Sequence, residues 1–238
     1  MKSHQKGFTL VEIAIVLVII GLLLGGVLKG QELINSAKVK NLANDFRTIP
    51  VFIYGYQDKF KRLPGDDPEA ASRFGSNGKL ASLSGQKPGN GVIEGAWDST
   101  DVTSENVLFW QHVRLAGFAS GSTDFSDKAS ASLPSNAEGG QIGITMTPPI
   151  SGLSGTYYLC SSGINSKLAL QLDTTMDDGK ATNGTLRAME TSGSSSSSSS
   201  SSSTTTTTSS SSSSSSTTTT TSTSGYEDGK SYTVCLAF

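Results

Sequence analysis

Residues Phe8 to Leu28 read FTLVEIAIVLVIIGLLLGGVL, and this apolar run of 21 positions decides how the chain is organised. As an α-helix at about 1.5 Å per residue it is roughly 31 Å long, which matches the hydrocarbon core of a bilayer. Lys2 and Lys6 precede it, so the positive-inside rule predicts a cytoplasmic N-terminus and places everything after Leu28 across the membrane. No small-residue cleavage site of the secretory type follows the run, and we therefore expect it to be retained.

One ionisable residue, Glu12, lies inside the apolar run. A charge near the centre of a membrane helix costs about 2.5 to 3.5 kcal/mol on insertion scales, and less near an end. A cut just before Phe8 would create an amine close to this carboxylate, either in the same chain or between staggered neighbouring copies. The alternative is a plain single-pass anchor that carries a Glu near its cytoplasmic end.

The residues 6–12, KGFTLVE, together with the apolar stretch after them, resemble the leader and N-terminus of type IV prepilins and pseudopilins. In that family a membrane peptidase cuts after the Gly and N-methylates the new first residue. The resemblance therefore implies processing between Gly7 and Phe8, with Glu12 as the residue that guides assembly. It also implies prepilin peptidase, copies of the chain or other pilins, and the inner-membrane assembly machinery as partners.

The same resemblance implies how the chain is divided and where it resides. We expect a cleaved leader at 1–7, a transmembrane and filament-core helix at 8–28, an amphipathic helix half at 29–62 and a globular head at 63–238. The protein would first span the bacterial inner membrane and then enter a periplasmic or extracellular filament.

The apolar pattern after Lys29 predicts that the helix continues out of the membrane. Apolar residues recur there at steps of four and three, which is one face of an α-helix: Leu42, Phe46, Ile49, Ile53, Tyr56 and Phe60. A continuous helix from Phe8 to about Lys61 would be roughly 80 Å long. Bends or local melting are expected at two places, the glycines Gly21, Gly25 and Gly26, and Pro50.

The remaining sequence predicts a small α+β head in which the long helix packs on an antiparallel sheet. The block LPGDDP at 63–68 ends the helix, and 63–103 is expected to be a long connecting loop. Ser104 is a candidate cap for a helix through Leu115. Strands are predicted at 141–147, 156–160, 185–189 and 231–237, with a short helix around 166–172. LPGDDP and the blocks around 110–117 and 172–179 resemble a subset of pilin-like proteins.

The only two cysteines, Cys160 and Cys235, fall in predicted strands on the extracytoplasmic side, where an oxidising compartment permits a disulfide. We predict that they are bonded, in keeping with the C-terminal disulfide region of many pilins; two buried free thiols are the alternative. Such a bond encloses the unbroken Ser/Thr tract 194–224, which has no apolar residue with which to fold. The tract is expected to be a mobile loop that serves as an O-glycan carrier or as a passive spacer.

Composition argues against several other classes of function. The chain has 18 basic and 20 acidic residues with no basic cluster, so nothing points to nucleic acid. His4 lies in the leader that we expect to be removed, and the remaining His and two Cys cannot build a four-ligand zinc site without carboxylates. No cofactor is expected, although Asp173, Asp177 and Asp178 are candidates for calcium, which takes several oxygen ligands and is bound in this region by some pseudopilins.

The sequence is compatible with three functions. The first is a structural filament subunit, and the sequence does not choose between a type IV pilus and a type II secretion pseudopilus. The second is a membrane-tethered binding protein that never polymerises and recognises a ligand through residues 63–140. The third, an anchored hydrolase using His112 with Asp66 or Asp67, lacks a recognisable nucleophile motif, and we expect no enzyme activity.

Overall fold

A computed structural model describes residues 10–191 and 225–238. Its helices are α1 Leu10–Phe60, α2 Ala70–Phe74, α3 Glu105–Leu115, α4 Lys128–Ala131 and α5 Ser166–Met176. Its strands are β1 Ile142–Thr145, β2 Tyr158–Asn165, β3 Leu186–Glu190 and β4 Ser231–Ala237. A long N-terminal helix and a four-stranded antiparallel sheet confirm the predicted α+β, pilin-like fold.

The second half of α1 packs on the head through the predicted helix face. Five members of that face are buried, namely Leu42, Phe46, Ile49, Ile53 and Tyr56. The helix continues through Gly21, Gly25, Gly26 and Pro50, so the local melting expected there does not occur. A glycine weakens a helix by only about 1 kcal/mol. At Pro50, the buried neighbours Ile49 and Ile53 hold the turn in place against the missing backbone donor.

The sheet has the strand order β1-β2-β4-β3, so the C-terminal strand lies between β2 and β3. One face contributes Leu159, Val234 and Ile144 to the main core with the helices. The other face carries the two cysteines, packed with Tyr158 and Leu153. This alternation is the two-residue period of a strand whose faces are both covered.

All four residues of strand β1 are buried, whereas the alternation of Ile142, Ile144 and Met146 in the sequence predicts a strand with one buried face. The segment containing Trp97 crosses the sheet here, and a Cβ on Gly143 would lie only 1.7 Å from the Trp97 carbonyl oxygen. Thr145 Oγ1 also donates a hydrogen bond to the Gly95 carbonyl at 2.8 Å. A neighbouring segment therefore covers this strand, and an alternating sequence pattern cannot report such cover.

Three local predictions are corrected. Residues 63–103 are mostly loop, but they include α2 and a 3-10 turn at Gly75–Asn77. Ser104 does precede α3, yet its hydroxyl donates to the Asn106 side chain instead of accepting from a helix N–H. Helix α5 extends to Met176, four residues beyond the predicted end, and Asn165 caps its N-terminus, with its side-chain oxygen accepting from Leu168 N at 3.1 Å.

Candidate assembly surface

The first half of α1 leaves its apolar side chains outside the head. Every large hydrophobic residue from Leu10 to Leu28 is between 47% and 86% exposed. Among the described residues, α1 is the one helix long and apolar enough to cross a membrane. Fully burying one such side chain contributes about 1.5 to 3 kcal/mol, so leaving so many in water is strongly unfavourable. This half of the helix requires a lipid or protein environment.

Glu12 lies in the exposed, apolar half of α1. Its neighbours along the helix are apolar and exposed, so a lipid environment would surround this residue with hydrocarbon. Gly7 and Phe8 lie outside the described residues. Processing between them, and a pairing of Glu12 with the new amine, therefore stay predictions.

An ion pair fixes α1 to the head just beyond the apolar half. Lys38 Nζ lies 2.6 Å from Glu138 Oε1, and the Asn165 side chain donates to the other oxygen of Glu138 at 2.8 Å. The bond from Lys38 holds the pKa of the Glu138 carboxyl below its usual value. Since Asn165 also caps α5, this cluster joins α1, α5 and the end of β2 at one corner.

Asp67 lies in the loop after α1 and binds the last turns of that helix to the loop. Its carboxylate is fully buried and accepts from Tyr56 Oη at 2.8 Å, Arg73 Nε at 3.0 Å and Glu69 N at 2.9 Å. Burial and this hydrogen bond raise the pKa of the Tyr56 hydroxyl above its usual value. A buried carboxylate with a cation and two further donors is well compensated, so this arrangement is structural.

Asp66, its neighbour in LPGDDP, binds a different loop. It accepts backbone N–H groups from Gly89, from Asn90 at 3.1 Å and from Gly91 at 2.7 Å. Gly65 must be glycine, because its φ is 90° and a Cβ would lie 2.3 Å from the Glu105 carbonyl oxygen. The block therefore ties the end of α1 to the loop at 89–91 and to α3.

His112 is held by two backbone groups inside the head. Nδ1 accepts from Gly65 N at 2.9 Å, so Nε2 carries the proton and donates to the Lys79 carbonyl at 2.8 Å. Burial lowers the pKa of the imidazole, which keeps it neutral at pH 7. A general base needs a free nitrogen within reach of a substrate, and both nitrogens are used here. The geometry favours a structural histidine over the hydrolase alternative.

The calcium candidates Asp173, Asp177 and Asp178 do come together, with one oxygen of each within 4.8 Å of the others. Each also accepts hydrogen bonds that shape the turn after α5. Asp173 binds Tyr226 Oη at 2.7 Å and Gly179 N at 3.1 Å, and Asp177 Oδ2 binds Thr185 N at 2.6 Å. Carboxylate oxygens suit Ca²⁺, but these bonds already account for the cluster, so the three residues stay untested candidates and the expectation of no cofactor stays a prediction.

The predicted disulfide is present. Cys160 and Cys235 are bonded, buried and directly opposite each other on β2 and β4. The 75-residue separation places α5, β3 and the Ser/Thr tract inside the covalent loop. The bond therefore fixes the last strand in the middle of the sheet.

The tract 194–224 lies outside the described residues, but the stem on either side of it is well defined. Thr191 N donates to the Ser231 carbonyl at 2.8 Å, which extends the β3–β4 pairing by one step. Lys230 Nζ lies 2.8 Å from both Glu190 and Glu227. The chain therefore leaves and re-enters the head at adjacent positions.

Two buried charged residues of α3 were not predicted from the sequence. Glu105 is fully buried, with Oε2 accepting from Glu94 N at 2.8 Å and Oε1 left without a partner among the described residues. Burial raises the pKa of its carboxyl to about 7. Arg114 donates to the carbonyls of Ser122, Ala131 and Ser132, which anchors the loop after α3. An acidic residue at a helix start and a basic one at its end usually indicate an exposed helix, so no sequence signal marked them.

Comparison with known proteins bears on the N-terminus. Residues 2–28 match the family model described as the prokaryotic N-terminal methylation motif. No curated protein and no solved structure matches the chain. The motif is that of a structural, pilin-like protein, and its apolar stretch coincides with the exposed half of α1. The chain therefore carries a prepilin-type cleavage and methylation segment joined to a membrane-anchoring helix and an α+β head.

Proposed function

We propose that this protein is a structural subunit of a type IV pilus or pseudopilus-like filament, assembled through α1. The observation that carries the proposal is the apolar half of α1, which lies outside the head and coincides with the apolar stretch of a prepilin-type segment. A plain anchor needs the apolar run but not the methylation motif.

Processing by prepilin peptidase between Gly7 and Phe8 would remove 1–7 and create a new N-terminal amine. Residues 8–28 would then form the filament core, 29–62 the amphipathic half and 63–238 the head. In an α-helix, the amine of Phe8 and the carboxylate of Glu12 are one turn apart, so a staggered neighbour can offer its amine to this carboxylate. Neutralising Glu12 offsets most of the roughly 2.5 to 3.5 kcal/mol that a charge costs in a membrane helix.

Before assembly the subunit would span the bacterial inner membrane with its N-terminus in the cytoplasm, as Lys2 and Lys6 indicate. The head would then lie outside the cytoplasm, where the disulfide is stable. Assembly needs an energy source, and the sequence has no Walker-type phosphate loop, so the motor belongs to separate assembly machinery.

Replacement of Glu12 tests the proposal. In cells that assemble the wild-type protein, Glu12→Ala is expected to abolish filaments while the variant still reaches the membrane with its disulfide intact. Asp58→Ala is the matched control, because Asp58 is exposed on the same helix and, among the described residues, forms a salt bridge with Lys61 at 3.2 Å. A membrane-tethered binding protein would behave identically with either substitution.

The N-terminal mass of protein isolated from cells tests processing directly. A chain that starts at an N-methylated Phe8 is expected. A mature chain that starts at Met1 would rule out the prepilin pathway, whatever the effect of Glu12→Ala.

A further inference from the structure

A groove of about 750 Å³ lies between α1 and α5, beyond the apolar half of α1. Its floor includes the buried Val39 and Ala43, and its α1 wall carries Lys40 and Arg47. Both cations are exposed, and neither forms a salt bridge within the described part of the chain. Glu32 at one end of the groove is already paired with Lys29. The groove therefore presents two uncompensated positive charges.

An acidic ridge lies on the segments that flank α3. We define it by four exposed carboxylates, none of them in a salt bridge in the described ranges: Asp98, Asp101, Asp124 and Asp127. Thr100 and Lys128 line one shallow pocket, so the two segments are neighbours. With the adjacent cations Lys79 and Lys128, four carboxylates still leave a net negative charge.

Local hydrogen bonds favour the ionised form of three of the four ridge carboxylates. Bonds from Thr103 hold the pKa of Asp101 below its usual value, and bonds from Ser126 and Ser130 do the same for Asp124 and Asp127. The donors also fix where the carboxylates point, as in the 2.8 Å bond from Ser130 N to Asp127 Oδ1. The ridge is therefore a preorganised negative surface at neutral pH.

The groove and the ridge lie toward opposite edges of the sheet. Helix α5, which forms one groove wall, packs on β2, β4 and β3, whereas α3 packs on β1. The ridge is tied to the β1 side, since Gln141 next to β1 donates to the Ser99 carbonyl at 3.2 Å. A single copy therefore has unpaired positive charge toward one flank and unpaired negative charge toward the other.

We propose that the α1–α5 groove of one copy binds the acidic ridge of a second copy. The contact joins two different surfaces, so repeating it gives a ring or an open helical array rather than a two-fold dimer, and the open array is the one that a filament needs. A second copy is the favoured occupant because the complementary charge is on this chain itself, and the exposed half of α1 already requires close association. This inference rests on the proposed filament function and adds the head-to-head contact to it.

Reciprocal charge reversal in the full-length protein tests the contact. The double variant Lys40→Glu/Arg47→Glu is expected to lower filament yield about tenfold, as is Asp124→Lys/Asp127→Lys, because like charges then face each other. Combining all four substitutions is expected to restore yield to within about threefold of wild type. Lys87→Glu/Lys180→Glu is the control, since both cations are exposed, unpaired in the described residues and outside the groove.

Disulfide trapping gives a second readout. Cells that co-express an Arg47→Cys chain and an Asp124→Cys chain are expected to yield a covalent heterodimer from filaments, while either chain alone gives none. The native cysteines do not interfere because they are bonded and buried.

The outcomes separate this inference from the proposed function. If filaments form and require Glu12, but charge reversal has no effect or the quadruple variant stays as weak as the doubles, the groove–ridge contact is wrong and the filament function stands. If the wild-type protein forms no filaments and no trapped heterodimer appears, both fail.

Discussion

Glu105 makes the stability of the head depend on pH in an unusual direction. Its carboxyl is fully buried, one oxygen has no partner among the described residues, and Asp66 and Glu94 place further negative charge nearby. Burial, followed by these two charges, raises its pKa from an ordinary 4.5 to about 7, although the bond from Glu94 N opposes the rise. We therefore predict that Glu105→Gln, which mimics the protonated form, stabilises the head at high pH.

The sign and size follow from proton linkage. A carboxyl whose pKa is raised on folding binds its proton more tightly in the folded state, so it favours folding below pH 4.5. That advantage is lost as the pH rises through about 7. At about 1.4 kcal/mol per pKa unit, the loss for Glu105 has an upper limit of about 3.5 kcal/mol. The variant should match the wild type near pH 4.5 and exceed it in stability by up to that amount at pH 8.

Urea unfolding in detergent at pH 4.5, 6 and 8 measures the difference, with the fluorescence of Trp97 and Trp110 as the probe. Burial also raises the pKa of Asp45, Asp66 and Asp173, but these groups titrate in both proteins and largely cancel in the comparison. Asp101→Asn is the control for an exposed carboxyl whose pKa is lowered. Parallel pH profiles for wild type and Glu105→Gln would refute the reasoning.

Asp67→Ala should lower the free energy of unfolding by about 3 to 5 kcal/mol, because it leaves Arg73 and Tyr56 without their shared partner. Urea unfolding measures this loss, and a loss under about 1 kcal/mol would contradict the prediction. Replacing 192–224 with a four-residue turn should keep the free energy of unfolding within about 2 kcal/mol of the wild type, since the stem at Thr191 and Ser231 is already closed. A shortened protein whose head aggregates instead of folding would contradict this prediction. Adding millimolar Ca²⁺ should leave Tm the same as in EGTA, because backbone and side-chain donors already occupy the carboxylates of Asp173, Asp177 and Asp178. A Ca²⁺-dependent rise in Tm that disappears in the Asp178→Asn variant would instead indicate calcium binding.

Much of the architecture could be predicted from the sequence, because it depends on local periodicity. The apolar run ending at Leu28 predicted an exposed helix half, and the three-and-four spacing from Leu42 to Tyr56 predicted the buried face of α1. The strand β4 was predicted with the bounds that the structure gives, Ser231–Ala237. With two cysteines in the whole chain, the pairing of Cys160 and Cys235 allowed no other intramolecular choice.

The sequence by itself determined which segments are apolar, which faces are buried and which cysteines pair, since neighbouring residues report how one element meets its surroundings. Only the tertiary structure decided what LPGDDP, His112 and Glu105 do. His112 receives its bond from Gly65, 47 residues away, and Asp66 binds a loop more than 20 residues beyond it. Contacts between such distant segments leave no local pattern, because their partners meet only when the helices and the sheet have packed.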